Sequence, residues 1–332
     1  MTDTATPGGR RFSGGTVSGA LGRAMRGDAW TVGLVAIFVA LLVFTKLLRP
    51  AYGLDALAIA SLPVAFAAVG QAIVVISGGI DLSIGSVIAL TNVISAVLLL
   101  NAPEASVPIV LLVLLIGLLI GVANGVLVVV SRVPDIVVTL AMLFVWAGAA
   151  LLVLGTPGGA SVDWLREMIT GTLGIELLPR ALIVLLVVVA LVWVPLRRSR
   201  LGLSIYAVGS DQLAAFRSGV NVARTKIAAY GLAGLFASLG GLSLTASTGV
   251  GTPIPGPYLL LSVAAIVLGG VSLAGGRGGL LGPIVGIYIL GLIRADLGFL
   301  RVEPAFSTVI QGVIMVAVVM VGAYLTLRRR TA

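Results

Sequence analysis

The chain has 332 residues, 59% of them hydrophobic and 10% charged, with a mean hydropathy of +1.20; soluble domains carry about 25% charged residues, so a water-solvated fold is excluded. Cysteine and histidine are absent, which removes disulfides, thiolate nucleophiles, imidazole bases and the usual zinc and haem ligands, so neither a metal site nor a bound cofactor is expected. The formal charge of +9 comes from residues lying between apolar stretches rather than in an aromatic-lined groove, which argues for orientation in a lipid bilayer and against nucleic acid.

Residues 1–28 are rich in Gly, Ser, Thr and Arg and read as a disordered cytoplasmic tail. A transmembrane domain follows over 29–327, and 328–332 form a second short tail. The first apolar stretch, 29–45, ends at Lys46 rather than at a small-residue cleavage site, so it is not a cleavable signal peptide. Uncharged stretches then recur at 56–77, 82–100, 107–130, 136–155, 181–196, 227–247, 258–274, 278–293 and 306–327. A span needs about 20 residues at a rise of about 1.5 Å each, so the expectation is an all-α polytopic membrane protein with about ten transmembrane helices. From 227 to 276 there is no charge; Pro253, Pro255 and Pro257 with Gly251 and Gly256 divide that run into two spans.

Ten spans place both termini on one side. If that side is cytoplasmic, only Lys46, Arg49, Arg166, Arg180, Arg294 and Arg301 of the 21 basic residues lie outside, which satisfies the positive-inside bias. The inner loop 197–226 contains a short helix signal, with Ser210 as N-cap, Asp211 in the first turn, Arg217 in the last and Gly219 as terminator. Leu213, Ala214 and Phe216 give it apolar surface, suited either to the headgroup layer or to a cytoplasmic partner. In the outer loop 156–180, Trp164, Leu165, Met168 and Ile169 recur at helical spacing, an amphipathic helix that rests at the interface or receives an external protein.

Gly117, Gly121 and Gly125, and likewise Gly282 and Gly286, stand four residues apart, the spacing that lets helices cross closely. Polar residues inside spans are few: Gln71, Asn92, Asn124, Thr139 and Gln311. Each requires a partner or a wet cavity. They bond between helices or line a solute path, and Gln71, Asn92, Asn124 and Thr139 are the path candidates. No catalytic constellation is present. The only lysines, Lys46 and Lys226, precede Leu47 and Ile227, so no phosphate loop ending in Lys-Ser or Lys-Thr exists and nucleotide energy must enter through a partner.

The run 78–86 joins two spans: Gly78 and Gly79 allow a reversal, Asp81 can cap the next helix, and Ser83 and Gly85 follow. Its glycine spacing is echoed by Gly275, Gly276 and Gly282 around Arg277. Here the chain resembles the permease subunits of ABC importers for ribose, xylose, arabinose, galactose and related solutes, over about residues 56–323. The run 78–86 is similar to that family's glycine-glycine-isoleucine-aspartate-leucine-serine signature. Two further segments resemble it: 202–222, with Tyr206, Gly209, Ala214, Ala215, Ser218, Gly219 and Asn221, and 269–286, with Ser272, Gly275, Gly276, Arg277 and Gly282. Departures occur at Ser210 and Asp211, at the order Phe216 then Arg217, at 294–296 and at Ala147.

The resemblance implies a multi-pass protein of the bacterial cell membrane that translocates a sugar or sugar-like solute. Its implied partners are a cytoplasmic ABC ATPase that binds the ATP, a second permease subunit, identical or not, and an extracytoplasmic solute-binding protein. Gly209, Asp211, Ala214, Ala215, Phe216, Arg217 and Gly219 then form the ATPase-coupling loop. A permease for branched-chain amino acids or nucleosides and an ion-coupled secondary transporter are the alternatives.

Overall fold

The structure, a computed structural model, describes residues 17–174, 178–303, 305–314, 316, 317 and 320. Among the described residues the regular elements are helices. They are α1 (Val17–Leu48), α2 (Leu54–Ile76), α3 (Ile84–Asn101), α4 (Ser106–Ser131), α5 (Asp135–Val153), α6 (Asp163–Ile169), α7 (Arg180–Arg198), α8 (Arg200–Ser210), α9 (Gln212–Arg217), α10 (Val222–Thr248), α11 (Tyr258–Leu268) and α12 (Leu281–Phe299), followed by α13 (Ala305–Ile314). Seven of them, α2, α3, α4, α5, α7, α10 and α12, are long and apolar enough to cross a membrane. The chain is an all-α polytopic membrane protein.

The packing is centred on α2 and α10. α10 lies against α2, α3 and α4; α2 also meets α7, α11 and α12; α1 covers α12 and α5 covers α3. Lipid supplies no hydrophobic drive between helices, so close backbone contact has to hold them. A Cβ added at Gly121 would strike the Tyr230 carbonyl oxygen, and one at Gly125 would sit 2.8 Å from Ile227 Cα. Gly282 faces the Gly269 carbonyl in the same way, and a Cβ at Gly286 would lie 2.9 Å from Ala265 O. Both glycine rows therefore serve helix crossings, α4 on α10 and α12 on α11.

Two expectations change. The tail assigned to 1–28 is helical from Val17 onward; Val17, Ala20, Leu21, Ala24 and Met25 do recur at 3.6-residue spacing, and the glycines and arginines between them hide that pattern. Residues 1–16 and the 328–332 tail lie outside the described residues. The apolar run 258–274 is not one continuous helix either. α11 has 11 residues, about 16 Å, half the roughly 30 Å hydrocarbon core.

The chain ahead of α11 is not helical. Residues 249–257 leave the end of α10 and run along α3, where Thr252 N donates to Asn92 Oδ1 at 2.7 Å and Asn92 Nδ2 donates to Val250 O at 3.2 Å. Further along, Leu259 N would meet a Cβ at Gly85, at 3.5 Å. Non-helical backbone at membrane depth survives only where protein groups satisfy it, and the three prolines remove donors that would otherwise need partners.

Candidate functional site: the glycine junction and the signature turn

Three segments that lie far apart in the sequence meet at one point. A Cβ at Gly209, near the end of α8, would collide with the Ile76 carbonyl and lie 2.7 Å from Gly276 N. A Cβ at Gly275 would lie 3.0 Å from Gly78 Cα and 2.6 Å from Gly209 O, and one at Gly78 3.4 Å from Gly209 Cα. Gly78, Gly275 and Gly276 have φ of 83°, 83° and 67°, the left-handed region that favours glycine. Gly276 N donates to Ile76 O at 2.9 Å, and Tyr206 Oη donates to Gly278 O at 2.8 Å. Burial holds that hydroxyl above the ordinary tyrosine range, with Arg197 opposing, so it remains a donor at physiological pH.

The loop segment holds two helices rather than one. Asp211, not Ser210, is the N-cap of α9, its Oδ1 accepting from Ala214 N at 2.9 Å; Ser210 belongs to α8, its hydroxyl bonded back to Tyr206 O. Arg217 closes α9 and Gly219, with φ of 83°, ends it. Ala215 faces inward, whereas Leu213 and Phe216 are 58% and 67% exposed. An exposed Leu-Phe pair on a basic helix has no apolar cover in the described residues.

The signature turn is tucked inward. Tyr230 is eight residues into α10, about 12 Å from its start, yet its hydroxyl reaches Ile80 O at 3.3 Å. Asn124, seven residues before the end of α4 and so about 10 Å in, donates to Ser83 Oγ at 2.8 Å. Asp81 is thus buried within the protein, 2% exposed. The N-cap position of α3 is Ser83, so Asp81 does not cap the helix directly. It accepts from Ser83 N at 2.8 Å and from Ser83 Oγ at 2.6 Å, an Asx-type turn with the short length of a bond to a carboxylate. Arg277 is exposed and makes no ion pair with it; among the described residues the only one is Lys226 with Asp135, at 3.2 Å.

The path candidates are engaged in bonds of their own, with one exception. Asn124 Oδ1 accepts from Trp146 Nε1 at 3.1 Å, extending the chain Asp81, Ser83, Asn124. Thr139 Oγ1 accepts from Leu82 N at 3.1 Å, fixing the other side of the turn. Asn92 donates to Thr245 Oγ1 at 2.8 Å besides holding residues 250 and 252. Gln71 is buried in α2, and neither amide atom has a partner among the described residues. Gln311 lies on α13.

Sequence reasoning missed a second knot beside the turn. Lys226 Nζ donates to both Asp135 oxygens at 3.2 Å, and Tyr230 Oη donates to Asp135 Oδ2 at 3.1 Å. A Cβ at Gly79 would lie 2.7 Å from Asp135 Oδ2. Asp135 and Lys226 also line an open cavity of about 820 Å³ with Arg132, Gln212, Phe216 and Gly219. The one available signal was that a chain with two lysines places one of them at the start of a long span.

The family model described as "Branched-chain amino acid transport system / permease component" matches residues 53–319. The chain belongs to this family. It is a membrane permease subunit of the ABC-importer class. Similar proteins include the ribose import permease RbsC of Escherichia coli strain K12, 35% identical over 262 residues that cover 77% of this chain and 81% of that one. RbsC of Bacillus subtilis strain 168 is 32% identical over 262 residues, 76% and 79% of the two chains. The autoinducer 2 import permease LsrD of Escherichia coli O9:H4 strain HS is 29% identical over 266 residues, 77% and 79%. No solved structure matches the chain. In this permease the junction of Gly78, Gly209 and Gly275 unites all three segments that carry the family resemblance.

Proposed function

We propose that this permease carries a sugar or sugar-like solute, delivered by an external binding protein, and that a separate cytoplasmic ATPase docked on α9 drives it. The observation that carries the reading is the glycine junction: backbone of the docking segment touches backbone of the signature turn and of the second glycine turn without intervening side chains. A displacement of α9 therefore has little slack to absorb it. The exposed Leu213 and Phe216 are the apolar contacts offered to the ATPase, and ATP is bound on that subunit, this chain having no phosphate loop and holding no cofactor. The relatives named for ribose and autoinducer 2 import favour a polar, sugar-like solute; the family description, which names branched-chain amino acids, keeps amino acid or nucleoside uptake as the second reading.

The protein sits in a bacterial-type cell membrane with ten spans and both ends cytoplasmic. Residues 249–257 with α11 make one span, and α1 and α13 belong to the remaining two. α5, with Leu140, Phe144 and Leu152 at 44%, 67% and 90% exposure, faces a second permease subunit, identical or not. Asn92, Asn124 and Thr139 are consumed by internal bonds, so the path lies along that subunit boundary and selection falls largely to the binding protein. The test is reconstitution with the ATPase and the binding protein, whose ligand is first found by thermal shift. Uptake should require ATP and stop without the binding protein. Uptake by this chain alone, in ATP-free vesicles under an ion gradient, overturns the proposal.

A further inference from the structure

We infer that Asp135, Lys226 and Tyr230 are positioning residues that pass the movement of α9 to the signature turn, a role that rests on the ATPase-driven reading above. The chain of contacts is continuous. α9 is joined to α10 by four residues, 218–221, and the joint is stiff: Ser218 N and Val220 N both bond back to Ala215 O, and Asn221 Oδ1 caps α10 through Arg224 N. Lys226 lies on the next turn of α10. It grips Asp135 at the start of α5, and Tyr230, one turn further, shares Asp135 Oδ2 and reaches Ile80 O, the carbonyl just before Asp81.

The surroundings separate a link that opens from a static strut. Gly79 presses on the inner side of the knot, where a Cβ would lie 2.7 Å from Asp135 Oδ2 and 2.8 Å from Tyr230 Oη; Tyr230 itself is fully buried. The outer side is the cavity that Gln212 and Phe216 share, and the Lys226 and Asp135 side chains are 13% and 16% exposed. A charge pair sealed on every side breaks at the cost of stranding a charge. This one can part toward water while Tyr230 stays bonded to the turn, so the link has two usable arrangements, as a two-state coupling element requires.

The chain contains no cysteine, so one thiol introduced by Ile80→Cys reports on the turn in the assembled permease, ATPase and binding-protein complex. Its rate of reaction with a methanethiosulfonate should differ by about tenfold between nucleotide-free and ATP-vanadate-trapped complex, a typical coupling strength. Lys226→Met and Tyr230→Phe, the latter keeping the ring in place, should each cut that difference below about twofold, with the ATPase still co-purifying, and Lys226→Arg should restore it. An unchanged difference in both variants, or none in the parent, overturns the inference. If no ATPase co-purifies with the parent chain, the ATPase-driven reading itself falls and the inference with it, an outcome distinct from an assembled complex whose variants still respond.

Discussion

Two polar clusters of the permease use their side chains differently. In the first, Asn92, Ser95 and Thr245 bond to one another, and Asn92 also holds the backbone of Val250 and Thr252. These bonds satisfy a non-helical segment that hydrocarbon alone would leave unpaired, and they tie α3 to α10. In the second, the turn at 77–83 is bonded from four directions: by α4 through Asn124, by α5 through Thr139, by α10 through Tyr230, and by α8 through the glycine junction. Each element that ATP could displace has a handle on the same seven residues. Similar side chains thus seal in one cluster and connect in the other.

The comparison is broken most severely by filling the junction. Gly209→Ala places a methyl against Ile76 O and Gly276 N, and overpacking of this kind costs about 1–3 kcal/mol; because it also separates α8 from both turns, uptake should fall below detection while insertion persists. Uptake and membrane abundance, measured together, check it. Next in size is Phe216→Asp, which puts a charge on the exposed face of α9. Abundance and thermal stability should stay near the parent's, since surface changes fall within about 0.5 kcal/mol, while ATPase co-purification and uptake are lost. Uptake unchanged, with the ATPase bound, would return α9 to a headgroup-resting role.

Asp81 sharpens the reading of the turn. Asparagine keeps an oxygen acceptor for Ser83 N and Oγ, whereas alanine leaves buried donors unpaired at about 1–3 kcal/mol each. Asp81→Asn should therefore transport, and Asp81→Ala should lose thermal stability first. A folded, assembled Asp81→Asn without transport would assign the charge to the cycle instead. The smallest effect on transport is expected in the Asn92 cluster. Asn92→Ala should lower stability by about 1–3 kcal/mol by freeing Thr252 N and Val250 O, and the surviving protein should keep the parent's dependence on ATP. A scanning-calorimetry shift without a change in transport per ATP would confirm that the Asn92 bonds only seal.

Much of the fold was legible because lipid imposes a simple rule: apolar runs of sufficient length become helices. Seven of the apolar stretches read from the chain coincide with helices long and apolar enough to cross a membrane, and both four-residue glycine rows lie at crossings. The errors have local causes. The start of α1 was hidden because small and basic residues dilute its stripe, and α9 was misplaced by one residue because Ser210 and Asp211 are both good caps. The run 258–274 looked like a full span because hydropathy is blind to backbone conformation; that Asn92 could satisfy a non-helical segment 160 residues away is not written in either neighbourhood. Gln71, read as a path candidate, is buried in α2 with neither amide atom bonded among the described residues.

The sequence alone determined the class of the protein, seven of its apolar helices and the three segments that carry the family resemblance, since each depends on composition or spacing within a short stretch. Only the tertiary structure decided that these three segments are one site, that Asp81 is held inside the protein by Ser83, and that Lys226 finds Asp135 across 91 residues. The reason is physical: hydropathy and capping act over a few residues, whereas a contact between glycine backbones, or an ion pair between α10 and the start of α5, exists only once helices from distant parts of the chain have crossed.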